Sequence, residues 1–535
     1  LSELRKSGSV PANEPRFHPP VMTSWTTTDA ENLSERGVPV EAEPNQQIIL
    51  LMQPAKAFAS SFANERPSLE KIQEIIPALQ TLHVALLKSE AKGCHQHTRD
   101  LAWGYLADAC ESVARNDEFN CEIAEAGFIK VTLLEAAKYP DPHPEGNYQS
   151  FDEHVIYSPA ARIDAAEGIM HLAGKPSCLD KELIETIERL SNDPVPTVRF
   201  KIASKLVALY RTAPELMWRL LERFSREENS RGVLQLLVAQ SLRQLAGHHT
   251  AQVAELTHII FDRHLEGTGA DEVRKHCASI LAGLYVWQDQ PLCRETVEMI
   301  ANDPAHYDSE AHQIIFDLRS WLNLGPVETP DTKQDEVRRK SFDLLHHLLS
   351  ATLRQTKELE ANYSGVPFAS WSEADQEKGR DLAHLADSIC MQVYFASGAY
   401  QDNNDEEKVS RGVPERTRFW RESRSTLELL SEFGYPSLTH HLLETLEYLI
   451  TFEPDAVFLL VGQVVRKGRE GGYQYESLAI DLIVRMVERF IAEYRHHLQK
   501  SEACRRVLIE ILDTFVEAGW PAARRLTYRM EEIFR

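Results

Sequence analysis

The chain has 535 residues, 43% hydrophobic and 26% charged, enough apolar material for a large core or a long stack of units. It carries 81 acidic against 58 basic side chains, a net charge of −23. A surface this negative repels phosphate backbones and anionic bilayers, so generic nucleic-acid or membrane binding is disfavoured except at a local basic patch.

No apolar run reaches the roughly 18 residues that a membrane helix needs. Arg5 and Lys6 are followed by polar, proline-rich sequence and not by a secretory apolar segment. The chain starts at Leu1, which reads as a processed product or the later part of a longer polypeptide. Residues 1–67 lack sustained periodicity and hold Pro11, Pro15, Pro19, Pro20, Pro39, Pro44, Pro54 and Pro67. They are expected to form an extended linker or strap, with room for a short helix around Gln46 to Ala63. The eight cysteines contain no CxxC pair and read as reduced, mostly buried thiols of a cytoplasmic protein.

After Ser68 the pattern changes. Leu69, Ile72, Ile75, Ile76, Leu79, Leu82, Leu86 and Leu87 recur at three- and four-residue steps, the period of an amphipathic helix. Helical period persists through the rest of the chain, punctuated by Gly, Pro and Asn-Asp-Pro turns, with no series of alternating strands. An internal repeat lies within it. The segments starting at Val198 and Val273 share seven identities in thirteen positions: Val, Arg, Ala, Ser, Leu, Leu and Tyr. The common core is arginine, then a small residue at +4 and aliphatics at +7 and +10. It recurs as Arg162, Ala166, Ile169, Leu172, and with glutamine as Gln235, Ala239, Leu242, Leu245. The anchors at 162, 199, 235 and 274 are 37, 36 and 39 residues apart, with a weaker copy at Ile315, Leu318, Trp321. Positions +4, +7 and +10 share one helical face, the alanine admits a neighbouring helix, and the aliphatics fill the groove. Such a unit fits two helices and two turns, and it must stack to bury its apolar face.

Val-Arg followed by Ala and Leu at this spacing, after a turn aspartate, resembles the second helix of a HEAT repeat. The resemblance implies an arginine–aspartate ladder between neighbouring repeats, with Asp193 and Arg199, and Asp271 and Arg274, as the matching residues. The expected fold is all-α: a HEAT-like α-solenoid of stacked antiparallel helix pairs over 68–323, a linker at 324–334, and a C-terminal helical domain at 335–535. Helices are expected at 335–360, 372–397, 415–433, 437–451, 455–467, 476–499, 503–518 and 522–535. The acidic stretch Asp402–Glu407 and the glycine-rich Lys467–Gly472 read as exposed connections. The segment 503–535, with Phe515-Val-Glu-Ala-Gly-Trp-Pro-Ala-Ala, resembles the helical cap of bacterial STAND-type signalling and defence ATPases.

Catalytic signatures are weak. Gly168 to Gly174-Lys175-Pro176 has one residue too many for a phosphate loop, and proline where the Mg²⁺-binding hydroxyl belongs. Cys94, His95 and His97 form the densest metal-capable cluster, but no second pair follows at zinc-finger spacing, and a polar interhelical turn after Gly93 explains them more simply. Asp152-Glu153-His154 reads as the acidic entry to a helix, not an acid/base pair. The sequence therefore suggests no cofactor, no metal and no catalytic residue.

One segment departs from the acidic background. From Arg411 to Arg424 five arginines flank Phe419 and Trp420, a composition favoured at contact hot spots. Arg416, Arg418, Trp420, Arg421 and Arg424 are the candidate partner-binding residues, for a protein with an acidic face before a nucleic acid. The competing reading docks them on the chain's own acidic loop or on another domain. The functional expectation is a recognition module of a larger bacterial signalling or defence protein, with a free-standing scaffold or adaptor as the alternative, ahead of a hydrolase or nuclease.

Overall fold

The structure, a computed structural model, describes residues 29–123, 125–144, 159–263, 265, 267, 269–323, 331–402, 413–521, 524 and 526, with backbone alone at 401, 402 and 477–480. Every regular element among these residues is helical. Contacts divide the chain into two compact units, one ending at Cys277 and the other starting at Ala278.

In the first unit the helices are α1 (Asp29–Glu35), α2 (Glu43–Ser61), α3 (Leu69–Ser89), α4 (Gln96–Ala114), α5 (Ala126–Ala136), α6 (Ala161–Ala173), α7 (Lys181–Leu190), α8 (Pro196–Ser204), α9 (Pro214–Glu227), α10 (Arg231–Leu236), α11 (Arg243–Leu245) and α12 (Thr250–Phe261). A 3₁₀ turn at Leu206–Tyr210 follows α8, and a π-helical turn at Leu237–Leu242 joins α10 to α11. Their limits follow local chemistry. Ser68 caps α3 by accepting from Lys71 N at 3.3 Å, and Asp180 caps α7 by accepting from Leu183 N at 3.0 Å; each such cap is worth about 1 kcal/mol. The helices form two rows. α4 packs on α6, α6 on α8 and α8 on α10, while α5 lies against α4 and α6, and α7 against α6 and α8. That is the stacking expected of HEAT-like pairs.

Where it is described, the segment expected as an extended strap holds two helices, α1 and α2, the second close to the helix expected around Gln46 to Ala63. Ile48, Met52, Ala55, Phe58 and Ala59 are buried at helical spacing, and α2 packs on α3 and α4. Pro44 sits in the first turn, where no amide donor is needed; Pro54 is accommodated inside α2, so the prolines did not exclude a helix.

The repeat core behaves as read. Ala166, Ile169, Leu172, Ala203, Leu206 and Leu209 are fully buried, as are Ala278 and Leu281. The third copy departs. Within the π turn Val238 is buried and Ala239 only half-buried, while Leu242 and Leu245 keep their buried places. Helix α8 stops at Ser204, and Ser241 Oγ donates to the Ala203 carbonyl at 2.7 Å.

The ladder exists with partners other than those expected. Arg199 reaches only the backbone carbonyl of Asp193, at 2.7 Å. Its guanidinium forks onto Glu228, with 2.7 and 2.8 Å contacts, at the turn before the next repeat. Asp193 pairs instead with Arg162 of the preceding repeat, at 3.2 Å, and accepts from Val195 N at 2.9 Å. At the glutamine-bearing copy the rung is neutral, Gln235 Nε2 lying 3.5 Å from His276 Nε2. Arg162, Arg199 and Gln235 therefore reach forward, which local spacing could not reveal, whereas Arg274 lies over the Phe261 ring behind it at 5.1 Å.

α13 (Ala270–Gln288) runs through the division point. In the second unit follow α14 (Pro291–Asn302), α15 (Asp308–Trp321), α16 (Thr332–Asn362), α17 (Glu373–Ser397), α18 (Ala399–Asp402), α19 (Val413–Leu430), α20 (Pro436–Leu449), α21 (Pro454–Glu470), α22 (Ser477–Glu493), α23 (Arg495–Lys500) and α24 (Glu502–Glu517). α17 lies against α15, α16, α19 and α20, and α21 against α20 and α24. The glycine-rich stretch is not simply an exposed connection: Gly468 is buried, and a Cβ on Gly471 would meet the Gly434 carbonyl oxygen at 1.9 Å. Only glycine lets these two turns cross so closely. The stretch 324–330, residues 403–407 and the triad Asp152-Glu153-His154 lie outside the described residues.

Candidate functional site: an arginine stripe and a buried ion cluster

Helix α19 carries the arginine stripe. Pro414 occupies its second position, and Phe419, Trp420, Ser423, Thr426, Leu427 and Leu430 form its buried face against α16, α17 and α20. Trp420 is therefore not a surface anchor. It is 2% exposed, and its indole lies 5.7 Å from the Arg424 guanidinium. The correction has a simple cause: Trp420 falls on the same helical stripe as Ser423 and Leu427, and that stripe faces inward.

The arginines fan across the outer side. Arg416 lies over the Tyr448 ring at 4.1 Å. Arg418 is 3.8 Å from Asp335, which also pairs with Arg338 at 2.7 Å, and Arg338 forks onto Glu422 with two 2.9 Å hydrogen bonds. Burial, then the neighbouring charge of Arg338, lowers the Arg418 pKa from its ordinary value. Arg424 contacts Glu428 at 2.9 Å and Glu453 at 3.4 Å. Arg421 and Arg424 remain exposed, three residues apart. Arg411 lies outside the described residues.

A second cluster was missed in the sequence. Glu111, Glu167 and His171 bring donor atoms within 4.8 Å of one another. α4 supplies Asp108 and Glu111, with Arg115 as its C-cap, α6 supplies Glu167 and His171, and α8 supplies Lys201. His171 Nε2 is 3.2 Å from Glu111 Oε1; Arg115 binds Glu111 through Nε at 3.0 Å. Lys201 hydrogen-bonds Glu167, and Lys205 lies 3.3 Å from it. Burial pushes the Glu167 carboxyl up, but the Lys201 charge and hydrogen bond outweigh it and hold the group at about 2. Burial, then the Glu111 charge, pushes Asp108 up to about 6. The oxygen and imidazole donors suit a divalent cation. However, both ligand carboxylates already have cations of the chain's own, which a metal would have to displace. The arrangement is an ion cluster tying three successive helices of one row. Its local signals, Glu111–Arg115 and Glu167–His171 at i, i+4, were present in the sequence but do not reveal that two helices bring them together.

The cluster at Cys94, His95 and His97 is a turn. Gly93 has φ +75°, the His95 ring accepts from His97 N at 3.2 Å, and the buried Cys94 thiol donates to Asn45 Oδ1 at 3.3 Å. The reduced-thiol reading fails at two positions. Cys121 and Cys178 form a disulfide across 57 residues, with Cα atoms 5.0 Å apart; the stacking of α4 on α6 brings their following loops together, and no short motif announces it. An aromatic trio was also unforeseen: Tyr210 OH lies 2.9 Å from His249 Nε2, and Trp218 stands edge-on to His249 at 5.1 Å. No helix among the described residues is long and apolar enough to cross a membrane.

Comparison with known proteins adds little. A structure of the TSC2 N-terminus is similar over 76% of this chain and 99% of its own, at 15% identity and a TM-score of 0.28. A SYS-1/POP-1 complex structure is similar over 91% of this chain and 100% of its own, at 10% identity and a TM-score of 0.25. Likenesses this slight carry no argument about function. No family model matches the chain, and no curated protein matches its sequence.

Proposed function

We propose that this chain is a non-catalytic helical scaffold that holds a protein partner, with the exposed arginines of α19 contacting an acidic face. The observation that carries the reading is the forward ladder Arg162–Asp193 and Arg199–Glu228, which locks consecutive helix pairs into one row. Such a row presents many helices as a preformed surface, and preformed surface lowers the ordering cost of binding. In the buried cluster Arg115 pairs with Glu111 and Lys201 with Glu167, so neither carboxylate is left bare. Arg421 and Arg424 supply the charge complementarity, because guanidinium forks onto carboxylates. Nothing favours a sensor region of a larger STAND-type ATPase over a free-standing scaffold.

The test is a titration with a polyglutamate peptide. Wild-type binding should weaken as salt rises, and Arg421→Glu with Arg424→Glu should weaken it at least about tenfold, roughly 1.4 kcal/mol, with helicity unchanged. Equal binding by wild type and variant would remove α19 as the contact.

A further inference from the structure

Cys121 and Cys178 differ from the chain's other cysteines. Cys94, Cys110, Cys277, Cys293, Cys390 and Cys504 are buried and form no disulfide, and burial raises the thiols of Cys94, Cys110 and Cys293. A buried protonated thiol is a poor nucleophile. The bonded pair instead joins two loops, one after α4 and one between α6 and α7.

The two sulfurs sit in different surroundings. Cys178 is 1% exposed, whereas Cys121 is half-buried and open to a reagent. Lys130 Nζ, on α5, donates to the Cys178 carbonyl at 3.0 Å, and Ser177 Oγ lies 4.0 Å from Cys178 Sγ. The ten-residue helix α7 begins three residues later, so its positive end also faces this side. Asp180 opposes that field, but its carboxylate is engaged by Lys130 and by Leu183 N. Cys121, by contrast, is followed at once by Glu122, whose charge disfavours a thiolate there.

We propose that Cys121–Cys178 is a thiol–disulfide exchange site for an external dithiol, with Cys121 as the point of attack and Cys178 as the leaving thiolate. A thiolate of the reagent bonds to Cys121 Sγ as the S–S bond breaks, and the bonding pair leaves on Cys178 Sγ, which takes up a proton. The reagent's second thiolate then displaces Cys121, which is protonated in turn. The reagent ends as a cyclic disulfide and the protein as two thiols, so two electrons and two protons have moved to the protein. The loops remain pinned after cleavage, because Lys175 Nζ donates to the Ala114 and Asn116 carbonyls at 2.7 and 2.6 Å. The exchange therefore opens a clasp without separating α4 from α6.

The experiment uses the full chain in native buffer. Dithiothreitol followed by alkylation and peptide mass spectrometry should label Cys121 and Cys178 alone, with the far-UV circular dichroism unchanged. Brief 2-mercaptoethanol treatment quenched with acid should leave the mixed disulfide on Cys121. Lys130→Met should slow cleavage several-fold, and Lys130→Arg should restore it. The proposal is overturned by a disulfide that yields only in denaturant, by a mixed disulfide on Cys178, by equal cleavage rates in all three proteins, or by purified protein with both thiols free under air.

Discussion

Gly104 in α4 offers a test in which helix propensity and packing give opposite signs. In an exposed helix, glycine to alanine gains about 1 kcal/mol. Here the added Cβ would lie 2.5 Å from the Pro159 carbonyl oxygen, 2.7 Å from its carbon and 3.1 Å from Ala160 N. Ordinary contact begins at 3.4 Å, so the backbone entering α6 would have to retreat by about 0.9 Å. That backbone cannot swing aside as a side chain can. Ala160 N is tied to Asp164 Oδ2 at 3.0 Å, and Arg162, two residues on, holds the first rung of the ladder. Overpacking of this kind costs about 1–3 kcal/mol, and a backbone obstacle belongs at the upper end. Gly104→Ala should therefore destabilise by about 2 kcal/mol after the propensity gain. Gly127 in α5 is the control: a Cβ there meets nothing within 4 Å, so Gly127→Ala should be neutral or stabilising by up to about 1 kcal/mol. Urea denaturation followed by circular dichroism reads both. If Gly104→Ala matches or exceeds wild type, the close approach of α4 to the start of α6 is wrong.

Arg199→Ala should cost about 3 kcal/mol, because Glu228, with a side chain 4% exposed, would stay buried with only the Asn229 and Ser230 amides; adding Glu228→Gln should recover part of the loss in a double-mutant cycle, and strict additivity would deny the rung. Asp108 has a folded pKa of about 6, above its ordinary 3.8, so the folded state binds the extra proton between these values. Its penalty is complete above pH 6 and fades as pH falls, so Asp108→Asn should stabilise most at pH 8 and progressively less below pH 6 in thermal melts. His440 has the opposite slope. Burial lowers its pKa below 6.5, against the pull of Glu444 and with His441 and Arg485 adding to the depression; Tyr473 OH is its hydrogen-bond partner at 3.1 Å. The unfolded chain then binds more protons just below pH 6.5, so stability should fall as pH drops through that window, and His440→Asn should flatten the fall in melts from pH 7 to 5. An unchanged slope would show that this imidazole is not held neutral by the fold.

Much of the fold was legible in single-chain pattern. The +4, +7, +10 core at Arg162, Arg199 and Arg274 marked buried faces, and the expected helices 335–360, 372–397 and 437–451 reappear as α16, α17 and α20 within a few residues. These readings succeed because a helix needs only its own neighbours at three and four residues to declare its buried stripe. The candidate site was legible only in part. The sequence marked Arg418, Arg421 and Arg424 as one stripe by spacing alone. Composition alone puts Trp420 at a contact surface, whereas its place on the stripe of Ser423, Thr426 and Leu427 turns it inward.

What the sequence alone determined is therefore periodic: the helices, the repeat length near 37 residues and the buried small residue of three of the four copies, Ala166, Ala203 and Ala278. What only the tertiary structure decided is pairing between distant segments. Arg199 meets Glu228 instead of Asp193, Cys121 meets Cys178, and Glu111 meets His171, because stacking α4 on α6 and α8 on α10 brings those helices and the turns beside them together. Such partners lie 29 to 60 residues away along the chain and are chosen by the docking of whole helices. Local spacing carries no record of that docking, since the energy that selects it is shared over every residue of the buried faces.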